Sequence, residues 1–383
     1  MTICFLSSMH PPLDKRVHYK EAVLLAKEGY RVVHIAPGEV DKDVCDGVEI
    51  ITFAGKRGLV GRVGQLSTLY RLARKVKADC YHCNEVESWL VGVLLKLSTK
   101  AQVVFDVHEI YSHDLAESRF PKFLHPMIIG SVRAFYKLLL PFTDRLVLAK
   151  RSTAEEFGNT KVPLVLARNF VEISGGDMLE KESIQPKIKS DASIRVIHLG
   201  AINKTRGWPQ MLEAINLCQN KNIVLHIVGK FGDSSQAEFE QQVRDMGLQS
   251  RVIFDSWVPY NEVQDVLRSS DIGIIMFQPV LHSFTHALPH KLFDYMLAGL
   301  PVIVPDFAVE VSEIVSEAEC GLLLDVTKPR VVADALDWLA EDVESRRQLG
   351  EKGRAAVLDH FNWEQEGKLL LKMYQGLSVR VGE

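Results

Sequence analysis

The chain contains little cysteine, and what it contains does not form a recognisable site. Six cysteines are scattered over 383 residues. Cys80 and Cys83 form a single C-x-x-C pair at the end of an apolar run, with no second pair at zinc spacing. We therefore expect neither a structural zinc site nor a disulfide framework, and we interpret the cysteines as thiols kept in a reducing cytoplasm.

Long apolar runs are also missing. No run reaches the roughly 18 residues that a membrane-spanning helix needs, so the sequence predicts no transmembrane segment. Residues 1–12 have neither a basic segment nor a small-residue cleavage site, which favours a first strand over a signal peptide. A cytoplasmic location is expected.

Composition and length indicate a globular protein with more than one core. Hydrophobic residues make up 47% of the chain and charged residues 25%, and 383 residues exceed what one ordinary domain contains. Residues 1–175 carry 24 Lys+Arg against 19 Asp+Glu, whereas the remainder carries 21 against 30. The basic half suits an anionic partner, although ordinary surface variation would give the same difference.

Strand-like and helix-like segments alternate twice along the chain. Apolar, β-rich runs occur at Ile3–Ser7, Tyr30–Ala36, Val48–Phe53, Cys80–Cys83, Val103–Val107, Arg145–Ala149 and Leu164–Ala167, and again at Ile194–Leu199, Ile223–Val228, Val252–Phe254, Ile272–Phe277, Pro301–Val304 and Gly321–Leu324. Such alternation predicts parallel sheets covered by helices on both faces. We predict two tandem doubly wound α/β domains, whose ligands bind at the carboxyl ends of the strands, in the cleft between the domains.

A polar segment separates the two halves. We predict a first domain over residues 1–172, a linker over 173–193 that is rich in Gly, Ser, Lys and Glu, and a second domain over 194–362. Opening and closing of the domains about this linker is a hypothesis from the architecture.

The stretch HALPHKLFDYMLAGLPVI, from His286 to Ile303, is the most informative part of the sequence. Leu288 and Pro289 hold the chain extended before a predicted helix, His290–Ala298. The free N–H groups at that helix start suit a phosphate, which Lys291 would neutralise, while Asp294 can accept hydrogen bonds from ribose hydroxyls. A capped helix with a solvated Lys–Asp pair is the alternative interpretation.

This stretch resembles the sugar-nucleotide signature of glycosyltransferase family 4, whose members are retaining enzymes with the GT-B fold. The resemblance extends over nearly the whole chain and includes DVHE (Asp106–Glu109), HLGAINKTRGWPQMLEAI (His198–Ile215) and DSWVPYNEVQDVLRSSDIGI (Asp255–Ile274). HFNWEQEGKLLLKMYQGL (His360–Leu377) is similar to the family's terminal helix, which implies that residues 363–383 cross back onto the first domain.

The resemblance implies a role for each matched residue. Lys291 and Arg206 would neutralise the departing diphosphate, and fixed cations stabilise such charge well in a dry cleft. Asp294 replaces the family's ribose-binding glutamate, and His108 corresponds to the histidine that contacts the donor sugar; a satisfied strand-end histidine is the alternative. Donor contacts are further implied for Gly200, Asn203, Trp257, Val258, Leu288 and Pro289. No D-x-D pair flanked by apolar residues occurs where a metal-dependent enzyme would have one, so metal-independent transfer is expected.

Two departures from the family pattern put the donor sugar in doubt. The family's Gly-Arg is Gly200-Ala201 here, which removes one phosphate-binding cation. The first acid of the family's E-x7-E pair is His286, which can donate as well as accept hydrogen bonds. We favour a UDP-sugar over a GDP-sugar.

Acceptor-side candidates lie in the first half. His10 and Asp14 belong to a loop stiffened by Pro11 and Pro12, where Asp14 either positions the acceptor hydroxyl or caps the helix that begins near Lys15. Glu85, after the fourth strand, is a candidate acceptor contact.

Two basic, apolar segments raise the question of a membrane. Residues 55–77 carry seven Lys/Arg and residues 118–142 carry four, and neither segment contains an acid. Such segments can lie on an anionic bilayer, which would place the protein at the inner face of the cytoplasmic membrane. Packing of the apolar residues on the sheet is the alternative, and nucleic acid is not expected.

Together these features predict a retaining glycosyltransferase that moves a sugar from a nucleotide sugar to a carbohydrate or glycolipid acceptor, in surface polysaccharide or glycoconjugate assembly. Two other interpretations stay open. One is a GT-B nucleotide-sugar epimerase, and the other is a catalytically inactive, glycosyltransferase-like partner subunit.

Overall fold

A computed structural model describes residues 1–40, 42–56, 58–173, 193–258 and 260–381. Apart from Ile173 and Ser193, the predicted linker lies outside the described residues. The chain divides into two compact units. Unit 1 comprises Met1–Asn169 together with Trp363–Glu383, and unit 2 comprises Phe170–Asn362.

The strands are short and mostly buried. They are β1 (Thr2–Leu6), β2 (Arg31–Pro37), β3 (Val44–Cys45), β4 (Val48–Phe53), β5 (Cys80–Cys83), β6 (Gln102–Val107), β7 (Arg145–Leu148), β8 (Leu164–Leu166), β9 (Ile194–Leu199), β10 (Ile223–Val228), β11 (Val252–Asp255), β12 (Ile272–Ile274), β13 (Val302–Pro305) and β14 (Gly321–Leu324).

Helices connect most of these strands. They are α1 (Val23–Lys27), α2 (Gly58–Val76), α3 (Val86–Ser98), α4 (Tyr111–Arg119), α5 (His125–Leu139), α6 (Trp208–Leu217), α7 (Gln236–Asp245), α8 (Tyr260–Arg268), α9 (His282–Thr285), α10 (His290–Leu297), α11 (Val309–Ala318), α12 (Pro329–Glu341), α13 (Val343–Asp359) and α14 (Trp363–Val381). A π-helical stretch, Lys15–Ala22, runs into α1, and 3-10 turns cover Lys122–Leu124, Leu140–Phe142, Arg151–Glu156 and Lys204–Arg206.

Unit 1 is built on one sheet with the strand order β3-β4-β2-β1-β5-β6-β7-β8. Neighbouring strands are parallel except in the β3–β4 hairpin. Alternate residues of β1 enter different cores: Cys4 and Leu6 pack beneath α2, α3 and α5, whereas Ile3 and Phe5 pack beneath α1 and α14. A sheet buried on both faces explains why its strands are continuous apolar runs.

Unit 2 has a fully parallel sheet in the order β11-β10-β9-β12-β13-β14. The hydroxyl of Tyr295 in α10 accepts a hydrogen bond of 2.8 Å from the backbone N–H of Leu199 at the end of β9. Gly273 in β12 makes room for the same ring, since a Cβ there would lie 2.5 Å from it. These contacts fix α10 against the carboxyl ends of the central strands.

The prediction of two α/β domains with parallel sheets is confirmed. Unit 1 ends at Asn169, close to the predicted domain end at residue 172, and Phe170 packs on Phe293 within unit 2 at 4.6 Å between ring centroids. The predicted strand Ile272–Phe277 is shorter in the structure: it covers Ile272–Ile274, and beyond it the Ile275 N–H still donates to the Ile303 carbonyl oxygen at 2.9 Å.

One described segment, Lys122–Phe142, is long and apolar enough to cross a membrane by length and composition alone. It joins two 3-10 turns to α5 as one continuous helical segment. This finding corrects the expectation that no such run exists: Arg133 and Lys137 interrupt the run in the sequence, but the segment as a whole remains apolar enough to span. The described residues contain no other segment of this kind.

Candidate active site

The first half of α10 places two charged side chains in a nearly dry environment. Pro289 is the residue before the helix, with extended backbone at φ −76° and ψ 136°. Lys291 is 8% exposed and Asp294 is 6% exposed. This burial contradicts the alternative of a solvated surface pair, and the predicted ligand contacts of the two residues stay predictions.

The ammonium group of Lys291 lies near a neutral histidine, a second cation and one carboxylate, that of Asp294. Its Nζ is 3.3 Å from Nε2 of His198, at the end of β9. Burial, together with the positive charge of Arg206, holds the pKa of Lys291 well below its usual value, and Asp294 opposes this only in part. Burial and the neighbouring Lys291 likewise hold the pKa of His198 well below its usual range, so His198 is neutral.

Arg206 is brought to the same place by the 3-10 turn Lys204–Arg206. Asn203 caps this turn, because its side-chain oxygen accepts a 2.8 Å hydrogen bond from the Arg206 backbone N–H. The guanidinium carbon of Arg206 and the Nζ of Lys291 both lie over the ring of Phe277, at 5.5 and 6.0 Å from its centroid. Burial lowers the pKa of Arg206. Within the described residues, neither cation makes an ion pair with a carboxylate of the protein.

Two glycines let the strand-end loops approach closely beside these cations. Gly200 has φ +92°, and a Cβ built on it would lie 4.0 Å from the Lys291 amine. Gly229, at the end of β10, approaches so closely that its Cβ would lie 1.9 Å from the Gly200 carbonyl oxygen. Glycine at these two positions therefore lets the backbone of both strand-end loops lie close together beside Lys291.

The other predicted donor contacts differ in exposure. Leu288 packs against the core under α10, and so does Val258. Trp257 is 63% exposed, which leaves its ring accessible. His286 follows the short helix α9, and its ring lies 4.6 Å from the ring of His282. The contact between the two rings positions the side chain of His286. Its contact with the donor sugar stays a prediction.

In unit 1, His108 lies at the carboxyl end of β6 and is oriented by Asp106. Its Nε2 is 2.6 Å from a carboxylate oxygen of Asp106. Arg16 forms two hydrogen bonds with the same carboxylate, of 3.2 and 2.9 Å. Although burial acts against ionisation, the charges of Arg16 and His108 hold the pKa of Asp106 well below its usual range. An ionised carboxylate only accepts, so Nε2 of His108 carries the hydrogen and Nδ1 is left for another partner.

His10 and Asp14 are neighbours in the loop after β1. His10 Nδ1 lies 3.3 Å from a carboxylate oxygen of Asp14, and its ring lies 4.8 Å from the ring of His108. Burial lowers the pKa of His10, but the hydrogen bond to Asp14 and the charges of Glu85 and Asp106 outweigh it and raise the pKa. Asp14 also accepts from the N–H groups of Arg16 and Val17, at 2.8 and 2.9 Å. Of the two roles expected for Asp14, this geometry shows the helix cap.

Glu85 organises the same loop. Its carboxylate accepts hydrogen bonds from the backbone N–H groups of Ser8, Met9 and His10, at 2.8, 2.9 and 3.0 Å. Both oxygens are thus engaged by the chain itself. The structure therefore gives Glu85 a part in shaping the loop, and the predicted acceptor contact stays a prediction.

Sequence reasoning did not single out His198, Phe277, Arg16 or Asp106 as members of the two clusters. His198 and Asp106 are polar residues inside apolar strands, and that is the signal that could have found them, because such residues are rarely buried without a specific partner. Arg16 and Phe277 carry no comparable signal, since only the folded chain brings them next to Asp106 and Arg206.

A metal ion bound in unit 1 would compete with the guanidinium group of Arg16. Glu21, His82 and Asp106 lie close enough together to share a metal ion. Arg16 already pairs with both carboxylates, at 2.8 Å from Glu21 and 2.9 Å from Asp106. His18, Cys45 and Asp46 form a second group at metal-ligating distances near the β3–β4 turn. Independence of a metal remains a prediction.

Comparison with known proteins identifies the class to which this fold and these residues belong. Residues 180–356 match the family described as "Glycosyl transferases group 1", and residues 16–174 match "Glycosyltransferase Family 4". Two tandem units with parallel sheets and these matches define a GT-B glycosyltransferase. The chain belongs to glycosyltransferase family 4, and it is a glycosyltransferase.

Individual relatives are distant but extend along the chain. The chain is similar to spore coat protein SA of Bacillus subtilis (strain 168), with 21% identity over 93% of both chains. A similar fold occurs in Anabaena HepE in complex with UDP, with a TM-score of 0.72, 15% identity and coverage of 98% of this chain and 100% of that chain. HepE has also been solved with UDP-glucose. Sucrose-phosphate synthase from Thermosynechococcus elongatus gives a TM-score of 0.74, 16% identity and coverage of 99% and 100%.

Proposed function

We propose that the protein is a retaining glycosyltransferase that uses a UDP-sugar as donor and a carbohydrate or glycolipid hydroxyl as acceptor. The observation that carries this proposal is the pair of cations, the buried Lys291 and the half-buried Arg206, over the ring of Phe277. Two like charges brought together in a dry place raise each other's energy unless an anion lies between them. A diphosphate supplies that anion.

The remainder of the nucleotide is proposed to bind beside the cations. The free N–H groups at the start of α10 would bind the phosphates. Asp294, one turn into α10, would accept hydrogen bonds from the ribose hydroxyls. UDP is favoured over GDP because a fold relative, HepE, binds UDP and UDP-glucose.

In this proposal the cations act mainly on the departing group. As the bond between the sugar and the diphosphate breaks, negative charge accumulates on the phosphate, and fixed cations at low dielectric stabilise that charge more than water does. The leaving phosphate can itself take the proton of the acceptor hydroxyl in a front-face reaction. His108, presenting Nδ1, is proposed to contact the donor sugar.

Thermal unfolding with a panel of nucleotides tests the donor site. We expect UDP at about 100 times its dissociation constant to stabilise the protein by about 2.7 kcal/mol, enough to raise the midpoint by a few degrees. GDP, ADP, CMP and dTDP are the comparison ligands, and a parallel series with EDTA tests whether a divalent cation is needed.

The matched control is a lysine of the same loop. Lys204 is 52% exposed and pairs with Glu238 at 2.6 Å. Lys291→Ala and Arg206→Ala should abolish the nucleotide-induced shift, whereas Lys204→Ala should keep it. An equal shift in all three variants, or no shift with any nucleotide in the wild type, would remove the support for the donor site.

A further inference from the structure

The outer side of α5 carries large apolar side chains that the fold leaves in water. Phe123, Met127 and Leu138 are 80%, 60% and 69% exposed. They follow one another at helical spacing, and the exposed small residues Gly130 and Ala134 lie between them. We call this set the α5 face: Phe123, Met127, Gly130, Ala134 and Leu138.

The opposite side of α5 holds the helix on unit 1. Tyr136 and Leu139 are buried and belong to the core that also contains Trp89 of α3. Of the apolar stretch within Lys122–Phe142, only 11% is buried. A helix that belongs to a protein core is buried over most of its apolar surface, so core packing does not account for the α5 face.

Neighbouring α3 enlarges this apolar surface. It packs against α5 and against the same core. Its outward residues Leu94 and Leu97 are 46% and 63% exposed. The apolar residues therefore extend over two adjacent helices, which exceeds the scattered exposed leucines of an ordinary surface.

The segment that carries the α5 face contributes only positive charge. Residues 118–142 include Arg119, Lys122, Arg133 and Lys137 and no acid. Arg133 forms ion pairs with Glu155 and Glu156, at 3.4 and 3.2 Å. Arg119, Lys122 and Lys137 are exposed and make no ion pair within the described part of the chain. An apolar stripe flanked by exposed cations complements an anionic lipid surface.

We propose that the α5 face is an interfacial docking surface for an anionic lipid bilayer, with Phe123, Met127 and Leu138 inserted at the acyl boundary and the three cations among the headgroups. This inference goes beyond sugar transfer and does not depend on the donor. Although the segment is long enough to cross a bilayer, it lies in the plane of the interface. Crossing would pull Tyr136 and Leu139 out of the core and would break the ion pairs of Arg133 inside the hydrocarbon.

Vesicle flotation with the full chain tests the proposal. The probes are vesicles of phosphatidylcholine alone and of phosphatidylcholine with phosphatidylglycerol, at low and high salt and without nucleotide. We expect binding to the anionic vesicles and a loss of binding at high salt, because screening weakens the attraction of the cations. Binding of equal strength to neutral vesicles would contradict the proposed role of the cations.

Variants test whether vesicle binding depends on the α5 face or on nonspecific adsorption of the protein. Phe123→Asp with Leu138→Asp should weaken binding to anionic vesicles at least tenfold. The control, Val331→Asp with Val343→Asp, changes residues of unit 2 that are 38% and 60% exposed and should bind like the wild type. Circular dichroism checks that both variants fold.

Two results would overturn the proposal. One is unchanged vesicle binding in the Phe123 and Leu138 variant. The other is a dimer in sedimentation that this variant dissociates, without vesicle binding by the wild type, because the occupant of the α5 face would then be a second copy of the chain.

Discussion

His108 and Asp106, two residues apart at the end of one strand, form a hydrogen bond of 2.6 Å between Nε2 and a carboxylate oxygen. The carboxylate is fully buried and is held ionised by Arg16 and His108. Asp106 therefore decides which nitrogen of His108 carries the hydrogen. In this way the DVHE motif specifies the orientation of its histidine as well as the histidine itself.

Replacing Asp106 by Asn should reduce turnover without removing the donor. An amide can donate as well as accept, so it no longer fixes the hydrogen on Nε2 of His108. We expect kcat to fall by about 10- to 100-fold, the usual effect of losing a partner that orients a functional histidine. UDP binding, measured by calorimetry, should stay within about twofold of the wild type, because Asp106 belongs to unit 1. An unchanged kcat and pH profile would contradict the orienting role.

Replacing Lys291 by Met should stabilise the protein while destroying the donor site. The folded-state pKa of Lys291 is lowered by burial and by Arg206. The unfolded chain therefore binds more protons between that pKa and the ordinary lysine value, and stability rises with pH across this window. Methionine removes the buried charge, and we expect the free energy of unfolding at neutral pH to increase by about 1–4 kcal/mol.

Thermal unfolding with and without UDP measures both effects of Lys291→Met. Lys204→Met is the control, since its ammonium group is half exposed and pairs with Glu238. A destabilised Lys291→Met protein would mean that the ammonium group serves the fold and not a ligand.

The buried acid Glu21 should make unit 1 less stable at higher pH. Burial raises the pKa of Glu21 well above its usual value, against the opposing charge of Arg16. Between the unfolded and folded pKa values the folded chain holds more protons, so stability falls as pH rises. Glu21→Gln keeps the shape but cannot ionise, and it should flatten this part of the pH dependence in urea unfolding. An unaltered profile would show that Glu21 does not titrate there.

Gly229 should be intolerant of any side chain. A Cβ there would lie 1.9 Å from the Gly200 carbonyl oxygen, so the loop beside Lys291 would have to move. We expect Gly229→Ala to weaken UDP binding at least tenfold and to lower stability by about 1–3 kcal/mol, the usual range for overpacking. The matched control is Gly376→Ala in α14, where a Cβ meets nothing within 4 Å and alanine favours the helix. Equal binding by both variants would contradict the close approach at Gly229.

Much of this architecture could be predicted from the sequence, because local pattern determines it. Buried parallel strands such as β10 are continuous apolar runs. The Leu288-Pro289 pair predicts where α10 begins. Contacts between residues that lie far apart in the sequence could not be predicted. Glu85 resembles a free strand-end acid in the sequence, and only the fold shows that three backbone N–H groups of the first loop bind it. Similarly, nothing near Arg16 in sequence points to Asp106, which follows it by 90 residues.

Calorimetry of UDP binding at several pH values, in buffers of different ionisation enthalpy, tests the central claim most directly. A diphosphate next to Lys291 raises the pKa that burial and Arg206 have lowered. Binding should therefore take up a proton between the free and bound pKa values, and the affinity should fall as pH rises through that range. Uridine, which lacks the diphosphate, should show no uptake, and neither should Lys291→Met. UDP binding without proton uptake at any pH, and equally tight in Lys291→Met, would contradict the assignment of Lys291 and Arg206 to the donor diphosphate.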